Sequence, residues 1–119
     1  MRNVKDQVYA ALNEKFENVT DQYPKDWADF PAIQYSEEEN KSYERDTSGE
    51  CKSYVRYLIN IWHNMSTSEA ALKVDDAMSA LGLVRTMCQD APDPSGLKHK
   101  VMRYEGIIDL ESDSVFWPD

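Results

Sequence analysis

Residues 54–82, YVRYLINIWHNMSTSEAALKVDDAMSALG, decide the fold, because one periodicity gives way to another inside them. Up to Trp62 the period is two. Val55, Tyr57, Ile59 and Ile61 are apolar or aromatic, and the positions between them (Tyr54, Arg56, Leu58, Asn60, Trp62) are mixed, the pattern of a strand with one face on a core. After Asn64 the period becomes helical. At about 100° per residue, Ala70, Ala71, Val74, Ala77, Met78 and Leu81 gather into an arc of roughly 120°. Ser66 followed three residues later by Glu69 has capping-box spacing. Gly82 supplies a stop, since a residue without Cβ takes the left-handed conformation easily. A half-buried strand and a helix over 66–82 are therefore expected. Leu72 lies on the outer side of that helix with Asp75, Asp76 and Ser79.

Toward the N-terminus, Val4, Val8, Ala11 and Leu12 form one stripe of a helix expected from Val4 to Phe16, with Asn3 as its N-cap. Residues 18–22 have room for a short strand, and Pro31 suits the first position of another, in which Ile33 and Tyr35 alternate inward. The aromatics Tyr23, Trp27, Phe30 and Tyr35 are read as filling the edge of a small core. SEEENKSYERDTSGECK, residues 36–52, is the most polar piece of the chain and has strands on both sides, so a long hairpin with a projecting outer half is expected. Its Glu37, Glu38 and Glu39 lack the spacing of an EF-hand and read as solvated; with Tyr43 they are candidate contact residues.

Toward the C-terminus, residues 83–89 and 97–110 form two antiparallel strands around the turn APDPSG, residues 91–96, and Gly106 is expected to mark a bulge or bend. Val115-Phe116-Trp117 is strongly apolar for a C-terminal segment; it adds an edge strand or docks on a neighbouring subunit. The element order is α-β-β-β-α-β-β. It implies one α+β domain over 1–119, a mainly antiparallel sheet with two helices packed on one face, a projecting hairpin at 36–52 and a C-terminal arm at 112–119.

A chain of 119 residues, with 41% hydrophobic and 29% charged, suits one ordinary globular core. The formal charge of -9 argues against a phosphate-gripping groove, which needs clustered Lys and Arg. The first sixteen residues do not read as a signal peptide, and no run approaches a membrane-spanning length. Cys51 and Cys88 make no metal-ligand pattern and are read as reduced thiols, with a disulfide left open. His63 lies near Ser66, but no nucleophile elbow surrounds them. Neither His63 nor His99 belongs to a paired-histidine metal motif, and Asp75 and Asp76 diverge on their helix. The sequence offers no convergent acid, base and nucleophile, so no enzyme, no metal and no cofactor are expected.

The succession FPAIQYSEEENK (30–41), SYVRYLINIWHN (53–64), STSEAALKVDDAMSALG (66–82) and PDPSGLKHKVMRYEG (92–106) resembles the tail-terminator, or tail-completion, proteins of long-tailed phages and prophages, most closely those of Gram-positive hosts. The resemblance spans residues 4–117 and includes the phrases Ile61-Trp62-His63-Asn64 and Tyr104-Glu105-Gly106. It implies an α+β subunit of a hexameric ring in the virion, assembled in the host cytoplasm. Such a ring caps the tail tube, ends its polymerisation and meets the head–tail connector protein, with DNA only passing through the lumen and no membrane involved. Within that expectation Glu37, Glu38, Glu39, Tyr43, Leu72, Asp75, Asp76, Val115, Phe116 and Trp117 are the interface candidates. Another neck protein (head-completion or stopper), or an acidic inhibitory binding module, is the alternative.

Overall fold

The computed structural model describes residues 1–117, and in it the 54–82 stretch forms the centre of the sheet and the longer of two helices. Strand β3 (Gly49–His63) lies between β2 (Ala32–Asp46) and β5 (Lys98–Asp109). The short β1 (Asn18–Thr20) pairs β2 in parallel at one edge; β4 (Val84–Asp90) pairs β5 antiparallel at the other. The two-residue β6 (Val115–Phe116) adds to β5 beyond the end of β4. Helices α1 (Lys5–Asn13) and α2 (Ser68–Ala80) pack side by side on one face, giving the expected α+β order with a short sixth strand.

The parity of β3 determines which side is core. Val55, Tyr57, Ile59 and Ile61 are fully buried, and with Ile33 and Tyr35 of β2 and Met102, Tyr104 and Ile108 of β5 they meet Val8 and Leu12 of α1 and Val74, Ala77 and Met78 of α2. At roughly 25 cal/mol per Å² of apolar surface removed from water, this cluster dominates the favourable side of folding. The buried Tyr57 hydroxyl accepts the Val4 N–H at 3.1 Å and donates to Glu37 Oε1 at 3.3 Å, pinning the entry to α1 against the sheet.

Both helices are shorter than the sequence predicts. Ser66 Oγ accepts the Ser68 N–H at 3.2 Å, which closes a turn before the helix; Thr67 is the N-cap and makes no side-chain capping bond. The Ser66–Glu69 spacing therefore does not form a capping box. Asn3 behaves alike: its Oδ1 accepts the Lys5 N–H at 3.2 Å, and Val4 is the cap residue. Short polar side chains compete for nearby amides in this way. The far end of α2 follows expectation. Gly82 has φ +89°, its N–H reaches Ser79 O at 3.0 Å, and the Leu83 N–H reaches Met78 O at 3.4 Å, the paired bonds of a Schellman stop.

Gly106 is not a bend. Strand β5 runs in unbroken register with β3 from Lys98 to Asp109. A Cβ at 106 would lie 2.8 Å from Leu83 Cδ2 and 3.1 Å from Val115 Cγ1, and one at Gly82 would lie 2.5 Å from the Val115 carbonyl oxygen. The two glycines thus make the slot that seats β6. Of the C-terminal arm at 112–119, residues 118 and 119 lie outside the described residues. The hairpin at 36–52 also differs from expectation: β3 pairs β5 from Lys52 inward, so only the tip from Arg45 to Cys51 runs past the end of β5. That tip and the long ladder give the molecule extents of 52 × 23 × 22 Å.

Candidate functional site

The helices cover one face of the sheet, and the opposite face is where side chains gather without a covering layer. Its composition follows from register. Trp62 pairs His99, Asn60 pairs Val101, Leu58 pairs Arg103, Arg56 pairs Glu105 and Tyr54 pairs Ile107. These are the mixed positions of β3 set against the alternate positions of β5, so an aromatic end and a charged end result.

At the charged end, Glu38 accepts Arg103 Nε at 2.7 Å and Nη2 at 3.3 Å, and Arg56 Nε at 3.2 Å. Arg56 Nη1 also meets Glu39 Oε2 at 3.2 Å. One carboxylate thus ties together three strands. The Arg103 hydrogen bond, aided by the charges of Arg103 and Arg56, holds the Glu38 carboxyl below the usual glutamate range. Tyr54 bonds to Glu105, lies under Lys41, and packs against Trp117 at 6.1 Å between ring centres. Burial and the Glu105 carboxylate push its hydroxyl up to about 12.

At the aromatic end, the His99 and Trp62 rings stack at 4.6 Å with 6° between planes, and Trp27 and Tyr23 meet Trp62 edge-on at 5.7 and 5.6 Å. Trp62 Nε1 donates to Asp93 Oδ1 at 3.1 Å, tying the turn before β5 to the sheet. His99 Nε2 bonds Asn60 Oδ1 at 2.9 Å, which places its proton on Nε2; Nδ1 is buried without a partner. The segment carrying Tyr23, Trp27 and Phe30 is held by Asn18, whose Nδ2 donates to the carbonyls of Asp26 and Asp29 at 2.9 and 3.0 Å.

The candidate contact residues fall into two groups. A register shift between Glu37 and Glu39 splits the glutamates between faces: Glu37 opposes Tyr57 on the helix side, and Glu39 opposes Arg56 on the open side. All three carboxylates are engaged within the chain. So is Asp75, which accepts the Tyr104 hydroxyl at 2.8 Å and pairs with Arg85 at 3.2 Å, locking α2 to β5 and β4. Val115 and Phe116 are the sixth strand, and Trp117 rests on Tyr54. Leu72, 69% exposed, Asp76 and Tyr43 point to solvent. Leu72 and Asp76 lie one turn apart on α2, and Tyr43 is on β2.

A groove of about 580 Å³ lies between the end of α1 and the start of α2. Its charges, Lys15, Lys73, Glu17, Asp29 and Glu69, are of both signs and select no ligand charge. His63 at its wall is stacked on Phe30, and its Nδ1 accepts the Met65 N–H at 3.1 Å. Among the described residues no group of three His, Cys, Asp or Glu is placed to hold a metal ion, and both cysteines are free thiols. The Arg56–Glu38–Arg103 network and the Trp62–His99 stack left only one local sign in the sequence, the alternation of mixed residues along β3. Compared with known proteins, the chain matches no family model and no curated protein.

Proposed function

We propose that this chain is a tail terminator: a structural protein that closes the tail tube of a long-tailed phage or prophage as a ring of like subunits, ends tube growth and joins the tail to the head-side connector. One observation carries the reading. The four phrases that resemble the family lie on consecutive parts of one α+β domain, namely β2, β3, α2, and the turn with β5. Two features support it. A charge of -9 suits a subunit past which DNA must slide without being gripped. The hairpin tip, with Leu72, Asp76 and Tyr43, leaves outward surface for neighbouring subunits and tube.

The test is to add the purified protein to polymerising tail-tube protein of the same phage and measure tube lengths by electron microscopy. Shorter tubes with a ring at one end are expected. Tubes of unchanged length, from a subunit that never associates with them, overturn the proposal. Deleting the gene separates this role from other neck positions: a terminator mutant accumulates tails of uncontrolled length beside finished heads.

A further inference from the structure

We propose that β4 is the edge at which two copies of this chain join, antiparallel, about a two-fold axis passing through Cys88. Among the described residues β4 pairs only with β5, so its outer backbone groups have no strand partner. Folded proteins guard such edges with charge, proline or bulges. The free edge of β2 beyond Gln34 obeys that rule, with register shifts at 37/39 and 42/44 and charges along its length. Strand β4 does not obey it to the same degree. It has one shift, between Arg85 and Met87, followed by an uncharged run from Met87 to Gln89.

The partner is specified by charge and by face. Opposition to Tyr104, Met102 and Lys100 of β5 puts Arg85, Cys88 and Asp90 on the helix-bearing side, and Val84, Met87 and Gln89 on the other. A two-fold axis perpendicular to the sheet keeps each residue on its own face, so only residues of like face can oppose one another across the junction. With the axis at Cys88, and Thr86 left out of the ladder as it is against β5, Cys88 opposes its own copy, Met87 opposes Gln89, and Arg85 opposes Asp90 twice over. Centring on Met87 or on Gln89 matches no opposite charges. Arg85 and Asp90 have capacity for the contact: their side chains are 49% and 80% exposed, although Arg85 also meets Asp75 and Asp90 also meets Lys100. Arg85 and Cys88 are exposed on the helix-bearing side, so α2 leaves this margin open.

The pair is a state of the free protein. It stands apart from the tail-terminator reading, because a self-matching contact cannot be the repeating contact of a cyclic ring. Opposed residues in an antiparallel ladder lie about 4.5–5.5 Å apart at Cα, within the range of about 4.4–6.8 Å that a disulfide spans. Cys88 is therefore the reporter. Full-length protein carrying Cys51→Ser is treated with diamide, which takes two electrons and two protons from two thiols as one S–S bond forms. The expected product is a dimer linked Cys88 to Cys88, with a concentration-dependent non-covalent dimer in sedimentation equilibrium before oxidation. Asp90→Arg, at an exposed position that leaves the fold intact by circular dichroism, and Arg85→Glu each slow cross-linking roughly tenfold. The double variant restores it. A protein that stays monomeric at millimolar concentration and does not cross-link overturns the proposal, and so does cross-linking indifferent to the two charge reversals. Tube capping by Asp90→Arg, measured separately, reads the ring proposal on its own.

Discussion

The C-terminal segment 115–117 and the hairpin tip 45–51 look alike in sequence as arms, one apolar and one polar, yet the molecule treats them oppositely. The apolar arm is absorbed. It takes the free edge of β5, and Gly82 and Gly106 leave the space that Val115 fills. The polar tip runs past the last residue of β5, and only its base is tied to the rest of the chain, where the Cys51 carbonyl accepts the Leu110 N–H at 3.1 Å and Glu50 meets the N-terminal ammonium. An unpaired strand edge recruits whatever apolar segment can reach it, whereas a hairpin projects as far as its neighbour strand falls short.

The sharpest way to break this contrast is Gly82→Ala. Left-handed backbone costs an ordinary residue about 1–2 kcal/mol, and a Cβ 2.5 Å from the Val115 carbonyl adds overpacking. A loss of roughly 3 kcal/mol is expected, lowering Tm by about 10 °C in thermal unfolding. An unchanged melting curve would show that β6 does not sit in the slot. Next in size, a chain ending at Ser114 should lose about 2 kcal/mol, because the edge of β5 at Ile107 and Ile108 is uncovered while the slot stays empty. Weakened assembly at an unchanged Tm would instead restore 115–117 as an inter-subunit arm.

Tyr57→Phe tests the base of the ladder, where Val4 and Glu37 both depend on one hydroxyl. About 1–2 kcal/mol is expected in urea unfolding, the cost of a buried N–H left without an acceptor. Replacing the tip 45–51 by Asn-Gly should cost under about 0.5 kcal/mol, since its residues cover no core. If the ring proposal is right, the same change reduces tube capping; a tip replacement that unfolds the protein would place the tip with β6 and not against it.

What was legible in the sequence was local. The change of period across residues 54–82 displayed strand, helix and core face, because each depends on neighbours within a few residues. Helix starts were read too early, by two residues in α2 and one in α1, since Ser66 and Asn3 bond the amide two residues on and not the one three residues on. The open face was not legible, because Glu38 and Arg103 are 65 residues apart and meet only through the combined registers of three strands. Gly106 was visible but misread: a glycine inside a strand signals a bend or a close approach equally well, and only Leu83 and Val115, brought against it by the fold, decide between them.

The smallest expected effect lies at the end of the ladder opposite the tip, where the chain is held by aromatic stacking. Burial, only partly opposed by the Asp93 carboxylate, lowers the pKa of His99 below its ordinary 6.5. The unfolded chain therefore takes up this proton first, and the folded state loses stability as pH falls through about 6.5 toward the lower folded value, with the full contribution present above that window. His99→Gln keeps a donor for Asn60 Oδ1 and removes the titration, so its urea midpoint should fall less than that of the parent chain between pH 7.5 and 5.5, a window of about one unit either side of the ordinary histidine value. Parallel profiles would mean that His99 is charged as easily when stacked on Trp62 as when free. The unpartnered Nδ1 would then have found a protonated-state acceptor, for which Asp93, whose charge already acts on His99 and which bonds Trp62 Nε1, is the candidate.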